Sequence, residues 1–179
     1  MNKKILVISG SARRGGNSDL LCDQFIKGAE ESGNKTEKIR LAEKKIKDCI
    51  GCMSCKRNEA KCVLDDDMPL IAEKILASDV LVIASPVYYY AVNGLVKIFI
   101  DRTFCRFTDM KDKELYYILT CTDNSDEAIN AALRDLHSFA HCLPGSKEKG
   151  TVYGYGNREK GEVRNKPAMQ EAYRMGLSV

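Results

Sequence analysis

Two short runs, Lys4–Ser9 (KILVIS) and Val80–Ser85 (VLVIAS), have uninterrupted aliphatic centres and stop at Gly10 and Pro86. A run without polar alternation predicts a strand buried on both faces, the pattern of a parallel sheet. Between them, Leu21, Phe25 and Ala29 recur every four residues within Ser18–Ser32. That period predicts an amphipathic helix, with Ser18 placed to cap its start and Gly33 to end it. Lys35–Leu41 reads as a second strand. After Asp65-Asp66-Asp67, Met68, Ala72, Ile75 and Leu76 fall at helical intervals, with Pro69 in the first turn. The acidic triplet suits the positive end of a helix dipole.

Beyond Pro86 the pattern predicts a helix at about 93–103, a strand at Leu115–Thr122 and a helix from Ser125 that buries Ile129, Ala132, Leu133, Leu136 and Ala140. A weaker strand at Thr151–Gly156 and a helix over Asn165–Gly176, opened by Pro167, complete the chain. Five strands alternating with five helices make an α/β fold with a doubly wound parallel sheet, whose ligands bind beyond the carboxyl ends of the strands.

Composition narrows this without redirecting it. The 179 residues are 44% hydrophobic, which excludes disorder and suits one domain over 1–179. The formal net charge of +3 is spread over both halves, so no nucleic acid or anionic membrane is expected as a partner. The apolar start is too short for a signal peptide, and the run around Val80–Val92 is too short to span a bilayer, so a cytoplasmic location is expected. In a reducing compartment the eight cysteines read as metal ligands or redox groups in preference to disulfides.

The first strand-to-helix turn, Gly10-Ser11-Ala12-Arg13-Arg14-Gly15-Gly16-Asn17-Ser18, sets small, hydroxyl and basic residues at a helix N-terminus, where free N–H groups suit a phosphate. Gly16 stands where a nucleotide-hydrolysing loop carries its lysine, the G-x-G-x-x-G spacing is absent, and no cysteine nucleophile is present. A phosphate monoester held without hydrolysis is one reading; an ordinary glycine-rich turn is the other. The second feature, Ser85-Pro86-Val87-Tyr88-Tyr89-Tyr90-Ala91-Val92-Asn93-Gly94, contains three consecutive tyrosines that cannot all face a core. They would stack on a planar ring or pack on a neighbouring subunit.

Through ISGSARRGGNS, ASPVYYYAVNGLVKIFIDR and GEVRNKPAMQEAYRMG the chain resembles the NAD(P)H-dependent FMN reductases of the flavodoxin-like superfamily over nearly its whole length. The resemblance implies a flavodoxin-like three-layer sandwich, a five-stranded parallel sheet in the order 2-1-3-4-5 with helices on both faces. It implies that Ser11, Arg13, Asn17 and Ser18 hold the FMN phosphate. Pro86, Val87, Tyr88 and Tyr89, with Asn93 and Gly94, would border the isoalloxazine, and Thr120-Cys121-Thr122-Asp123 occupies the place of the family's third flavin loop. NAD(P)H is the implied donor, a small-molecule redox substrate or small electron carrier the partner, and a homodimer or homotetramer the expected assembly. A non-catalytic electron carrier between proteins is the alternative.

Cys49, Cys52, Cys55 and Cys62 form C-x2-C-x2-C-x6-C in a loop at about 48–63. Three thiolates at three-residue steps wrap a cuboidal cluster, and a fourth closes it, whereas structural zinc prefers two separated C-x2-C pairs. A 4Fe-4S cluster is the leading reading, ahead of free or redox-active thiols and of zinc. With the following VLDDDM, the segment resembles the cysteine motif of the iron-sulfur flavoprotein subgroup. Cys22, Cys105, Cys121 and Cys142 read as small buried hydrophobes. His137 and His141, at i and i+4 without an intervening catalytic glutamate, read as surface residues. Lys44, Lys45 and Lys47 read as a solvated face, or as counter-charge to the thiolates.

Overall fold

A computed structural model describes residues 2–179. Its central layer is a sheet of β1 (Lys4–Ser9), β2 (Lys35–Arg40), β3 (Val80–Tyr88), β5 (Glu114–Thr120) and β6 (Lys147–Gly154), all parallel and in the order β2-β1-β3-β5-β6. A sixth, two-residue strand, β4 (Ala91–Val92), folds back antiparallel on the end of β3. The expected five-stranded path is therefore present, with one short strand added outside it.

The strands bury both faces, as their unbroken apolar runs require. Ile5 and Val7 of β1 face α1 (Asn17–Glu31) and α5 (Pro167–Leu177) through Leu21, Phe25, Ala168 and Ala172. Leu6 and Ile8 face the other layer, α2 (Met68–Ala77), α3 (Gly94–Arg102) and α4 (Asp126–His141), through Ile71, Phe99 and Leu136. Successive strand residues point to opposite faces, so one strand feeds two cores. Helices α1 and α5 cross at backbone contact: a Cβ on Gly28 would lie 2.1 Å from Tyr173 O, and one on Gly176 2.0 Å from Phe25 O.

Several boundaries differ from expectation for identifiable reasons. Gly16, not Ser18, caps α1; Ser18 is buried inside the first turn, and no side chain takes the capping bonds. β3 runs on through Pro86, because Pro86 pairs with Thr120 at a position where β3 is about to leave the sheet. β6 begins four residues before the expected Thr151. Its first residues, Lys147, Glu148 and Lys149, are exposed at the sheet edge and carry no apolar signal. α4 follows Ser125 as predicted, although Ser125 makes no side-chain cap bond. No helix among the described residues is long and apolar enough to cross a membrane.

Candidate functional site

The loops leaving β1, β3, β5 and β6 converge at the carboxyl end of the sheet, beside the β1–β3 boundary where the strand order reverses. They enclose a cavity of about 70 Å³ lined by Ser11, Arg13, Ser18, Tyr88, Cys121 and Asn157 among others. That is room for a phosphate-sized group; a larger ligand must extend over the open rim. Two clefts of about 640 and 660 Å³ lie elsewhere, one along α1, β2 and α2 and one between α3, α4 and the cysteine loop. The first touches the turn after β1 through Arg14 and Gly15, but neither reaches the loops after β3 and β5.

The turn after β1 is shaped by its own hydrogen bonds. Ser11 Oγ donates to Arg13 O at 2.8 Å, and Gly16 N to the same oxygen at 2.9 Å. A Cβ on Gly16 would lie 2.4 Å from Ser11 Oγ, so this position accepts only glycine without displacing the turn. With no side-chain cap, the first N–H groups of α1 lack intrahelical acceptors and present a positive dipole end. Arg13 reaches across to Arg158 O at 3.5 Å, which places two arginines on the same rim.

Asp19, which the sequence did not mark, organises the turn from behind. It is 3% exposed and accepts from Ser9 Oγ and Gly15 N, each at 2.9 Å. It pairs with Lys38 Nζ at 3.1 Å and Arg40 Nε at 3.3 Å. Burial opposes its ionisation, but the Gly15 and Ser9 hydrogen bonds and the Lys38 charge outweigh this and hold its pKa below the ordinary carboxylate value.

The expected site residues divide into three groups. Ser11, Arg13, Asn17, Ser18, Pro86, Val87 and Tyr88 line the cavity. Asn17 also ties loops together: its Nδ2 donates to Glu159 O at 2.8 Å, and its Oδ1 accepts from Gly161 N at 2.9 Å. Asn93 sits behind the wall, 3% exposed, donating from Nδ2 to Gly10 O at 2.6 Å and capping α3 by accepting from Val96 N at 3.2 Å. Tyr89 and Gly94 do not line the cavity. Tyr89 and Tyr90 form the two-residue turn between β3 and β4, with φ of 49° and 62°, and Tyr89 is fully exposed. Both central residues of such a hairpin turn need positive φ, which costs a tyrosine about 1 kcal/mol.

Thr120, Cys121 and Thr122 also line the cavity, and so do Asn157 and Arg158 from the loop after β6, a wall the sequence did not reveal. Asn157 N donates to Cys121 O at 2.8 Å, joining the two loops. Its Oδ1 is buried without a hydrogen-bond partner among the described residues. A buried acceptor left unpaired points to a ligand hydroxyl or N–H there.

The cysteine loop lies apart from this cavity, hung from a neck in which Lys45 N donates to Asp67 Oδ2 at 2.7 Å and Asp67 N to Lys45 O at 2.9 Å. Cys49 and Cys52 are exposed, Cys55 and Cys62 half-buried, and all four are free thiols. Among the described residues no three His, Cys, Asp or Glu side chains converge as a metal site. Hydrogen bonds from Ser54 hold the Cys52 thiol below its usual range. Lys56 lies 4.2 Å from the Phe104 ring centroid and donates to Phe104 O at 3.0 Å, docking the loop on the end of α3. Of the scattered cysteines, Cys22 and Cys121 are buried as expected. Cys142 is exposed because it caps the end of α4, and Cys105 is half-buried near the thiol loop, its Sγ donating to Arg102 O at 3.6 Å. His137, His141, Lys44, Lys45 and Lys47 are exposed, as expected of surface residues.

A family profile described as NADPH-dependent FMN reductase matches residues 3–149, the stretch that carries the first three cavity loops and the cysteine loop. The chain belongs to that family. YwqN of Bacillus subtilis, named as an NAD(P)H-dependent FMN-containing oxidoreductase, is 30% identical over 181 residues that cover 96% of each chain. An iron-sulfur flavoprotein of Methanocaldococcus jannaschii is 40% identical over 100 residues, 56% of this chain and 51% of that one. The match thus spans about half the length of that relative. Among solved structures, an NAD(P)H:quinone oxidoreductase from Methanothermobacter marburgensis shares the fold, with a TM-score of 0.77 over 99% of this chain and 96% of that one at 14% identity. For a member of the FMN reductase family, the cavity at the α1 N-terminus is the place to test for the flavin. The residues fit a flavin phosphate: uncapped N–H groups and two rim arginines surround a space of the right size.

Proposed function

We propose that this chain binds FMN at the carboxyl end of the sheet and is an oxidoreductase that passes electrons from NAD(P)H or a reduced carrier to a small acceptor such as a quinone or free flavin. The observation that carries this reading is the convergence of the uncapped α1 N-terminus, Arg13 and Arg158 on one cavity. When bound, FMN supplies the hydride- and electron-accepting ring, which needs no catalytic acid or base from the protein. The chain's own residues bind and orient. The α1 N–H groups and the two arginines neutralise the phosphate, and the Ser18 hydroxyl, without a protein partner among the described residues, is free to donate to it. Pro86, Val87 and Tyr88 form one edge for the ring. Tyr88 is half exposed, leaving a face open to a second substrate.

Charge-assisted hydrogen bonds contribute about 1.5–3 kcal/mol each, so Arg13→Ala is expected to weaken FMN binding about tenfold to a hundredfold. Riboflavin, which lacks the phosphate, should lose little in the same variant. Fluorescence titration with both ligands checks this; equal losses for both would remove Arg13 from the phosphate. Under anaerobic conditions the FMN-loaded protein is expected to bleach rapidly with NADPH or NADH. A flavin reduced only by a protein carrier would favour electron transfer without nicotinamide chemistry.

Cys49, Cys52, Cys55 and Cys62 are assigned to a 4Fe-4S cluster, which would supply one-electron transfer. What supports the assignment is an all-thiol donor set on one loop, the absence of disulfides within it, and the identity to iron-sulfur flavoproteins. Metal loops commonly close only around their metal. The exposed Tyr88–Tyr90 hairpin supports a homodimer or homotetramer that covers it, which sedimentation tests directly.

A further inference from the structure

Arg102, the last residue of α3, has a side chain only 1% exposed beneath the neck of the cysteine loop, and the flavin cavity makes no use of it. Its Nη1 donates to Lys47 O at 2.6 Å, on the chain entering the loop, and to Asp66 Oδ2, on the chain leaving it. Its Nη2 donates to Asp66 Oδ1 at 3.0 Å and to Cys62 Sγ at 3.6 Å. Asp66 in turn accepts from Lys47 N and Met68 N, each at 3.0 Å. One buried ion pair therefore closes both ends of the loop and reaches one of its four thiols.

We propose that Arg102 is the positioning residue of the thiol loop: it fixes Cys62 to the core through an N–H···S hydrogen bond, while Cys49 and Cys52 stay on the exposed part of the loop. This rests on the assignment of the four cysteines to a cluster. Hydrogen bonds to ligating sulfur are among the levers that set a cluster's potential, and a donor carrying positive charge favours the reduced form. The planar guanidinium serves Lys47 O, both Asp66 oxygens and Cys62 Sγ at once. A lysine there keeps the charge but has no fork to span them.

Arg102→Lys tests the proposal in two states of the protein, with Lys97→Gln on the exposed face of the same helix as control. In iron-free protein, trypsin should cut the loop at Lys56, Arg57 or Lys61 at least about tenfold faster in Arg102→Lys than in wild type, because opening then breaks fewer charge-assisted hydrogen bonds. FMN affinity should not change. In anaerobically reconstituted protein, the cluster of Arg102→Lys should titrate at a lower potential than that of wild type. Equal trypsin rates, or an unchanged potential at equal iron content, would overturn the proposal. Wild-type protein that takes up no iron and sulfide would strike at the cluster assignment instead, and the trypsin rates alone would then decide whether Arg102 holds the loop.

Discussion

Asp19→Ala is expected to cost about 2–4 kcal/mol of stability, since it leaves two donors without their acceptor and weakens a buried cluster of charges. The carboxyl accounts for the Ser9 hydroxyl, the Gly15 N–H and the charges of Lys38 and Arg40. Alanine leaves the Ser9 hydroxyl and the Gly15 N–H without this acceptor, while Lys38 keeps Asp23 and Arg40 keeps Glu43 as partners. For a domain whose net stability is about 5–15 kcal/mol this is a large fraction, visible as a lower urea midpoint. FMN affinity should fall with it, because Gly15 is part of the phosphate turn. Asp19→Asn keeps an acceptor for Gly15 N and should lie between the two.

The same group predicts a pH dependence. Its folded pKa lies below the ordinary value of 3.8, so its stabilisation is fully present above pH 3.8 and is lost as pH falls through the folded value. Asp66 acts in the same sense: burial raises its pKa, but the Arg102 hydrogen bonds and those from the Lys47 and Met68 backbone bring it below 3.8. Acid unfolding should therefore set in below about pH 4, with a shallower slope in Asp19→Asn. A slope identical to wild type would mean that Asp19 is not the paired carboxylate described here.

Cys55→Ser is expected to reduce bound iron to background while leaving FMN affinity unchanged. Ser is a poor ligand for a thiolate-held cluster, and the flavin cavity contains no residue of the 48–63 loop. Iron and sulfide analysis beside a flavin titration separates the outcomes. Loss of both cofactors together would make the cysteine loop a wall of the flavin pocket. Full iron retention would remove Cys55 from the ligand set.

What the sequence made legible follows from how each feature is encoded. The buried strands β1 and β3 and the helices α1 and α4 announce themselves by apolar runs and a helical period, because both are dictated by burial. The strand β4 carries only two residues and no period, and its turn is made by two tyrosines at positive φ, which ordinary turn chemistry does not anticipate. In the site, the residues on the first turn and after β3 were readable because glycine, proline and arginine cluster there. Asn157 and Arg158 were not, since they reach the cavity from a loop about 140 residues away in the chain. Asp19 and Arg102 carried no signal in the sequence, and Asp66 read only as one of three acids before a helix; the fold buries their side chains and gives them partners across the chain. Asn17 lines the cavity and Asn93 sits behind its wall, and the side chains of both hold loops together.

We propose that the α1 N-terminus with Arg13 and Arg158 forms the FMN phosphate site. Titration of the purified protein with FMN and with riboflavin, read by flavin fluorescence, decides this. Binding of one FMN per chain, with riboflavin bound at least about tenfold more weakly for want of its phosphate contacts, is the predicted result. Folded protein that binds neither ligand, or binds both equally, would contradict it.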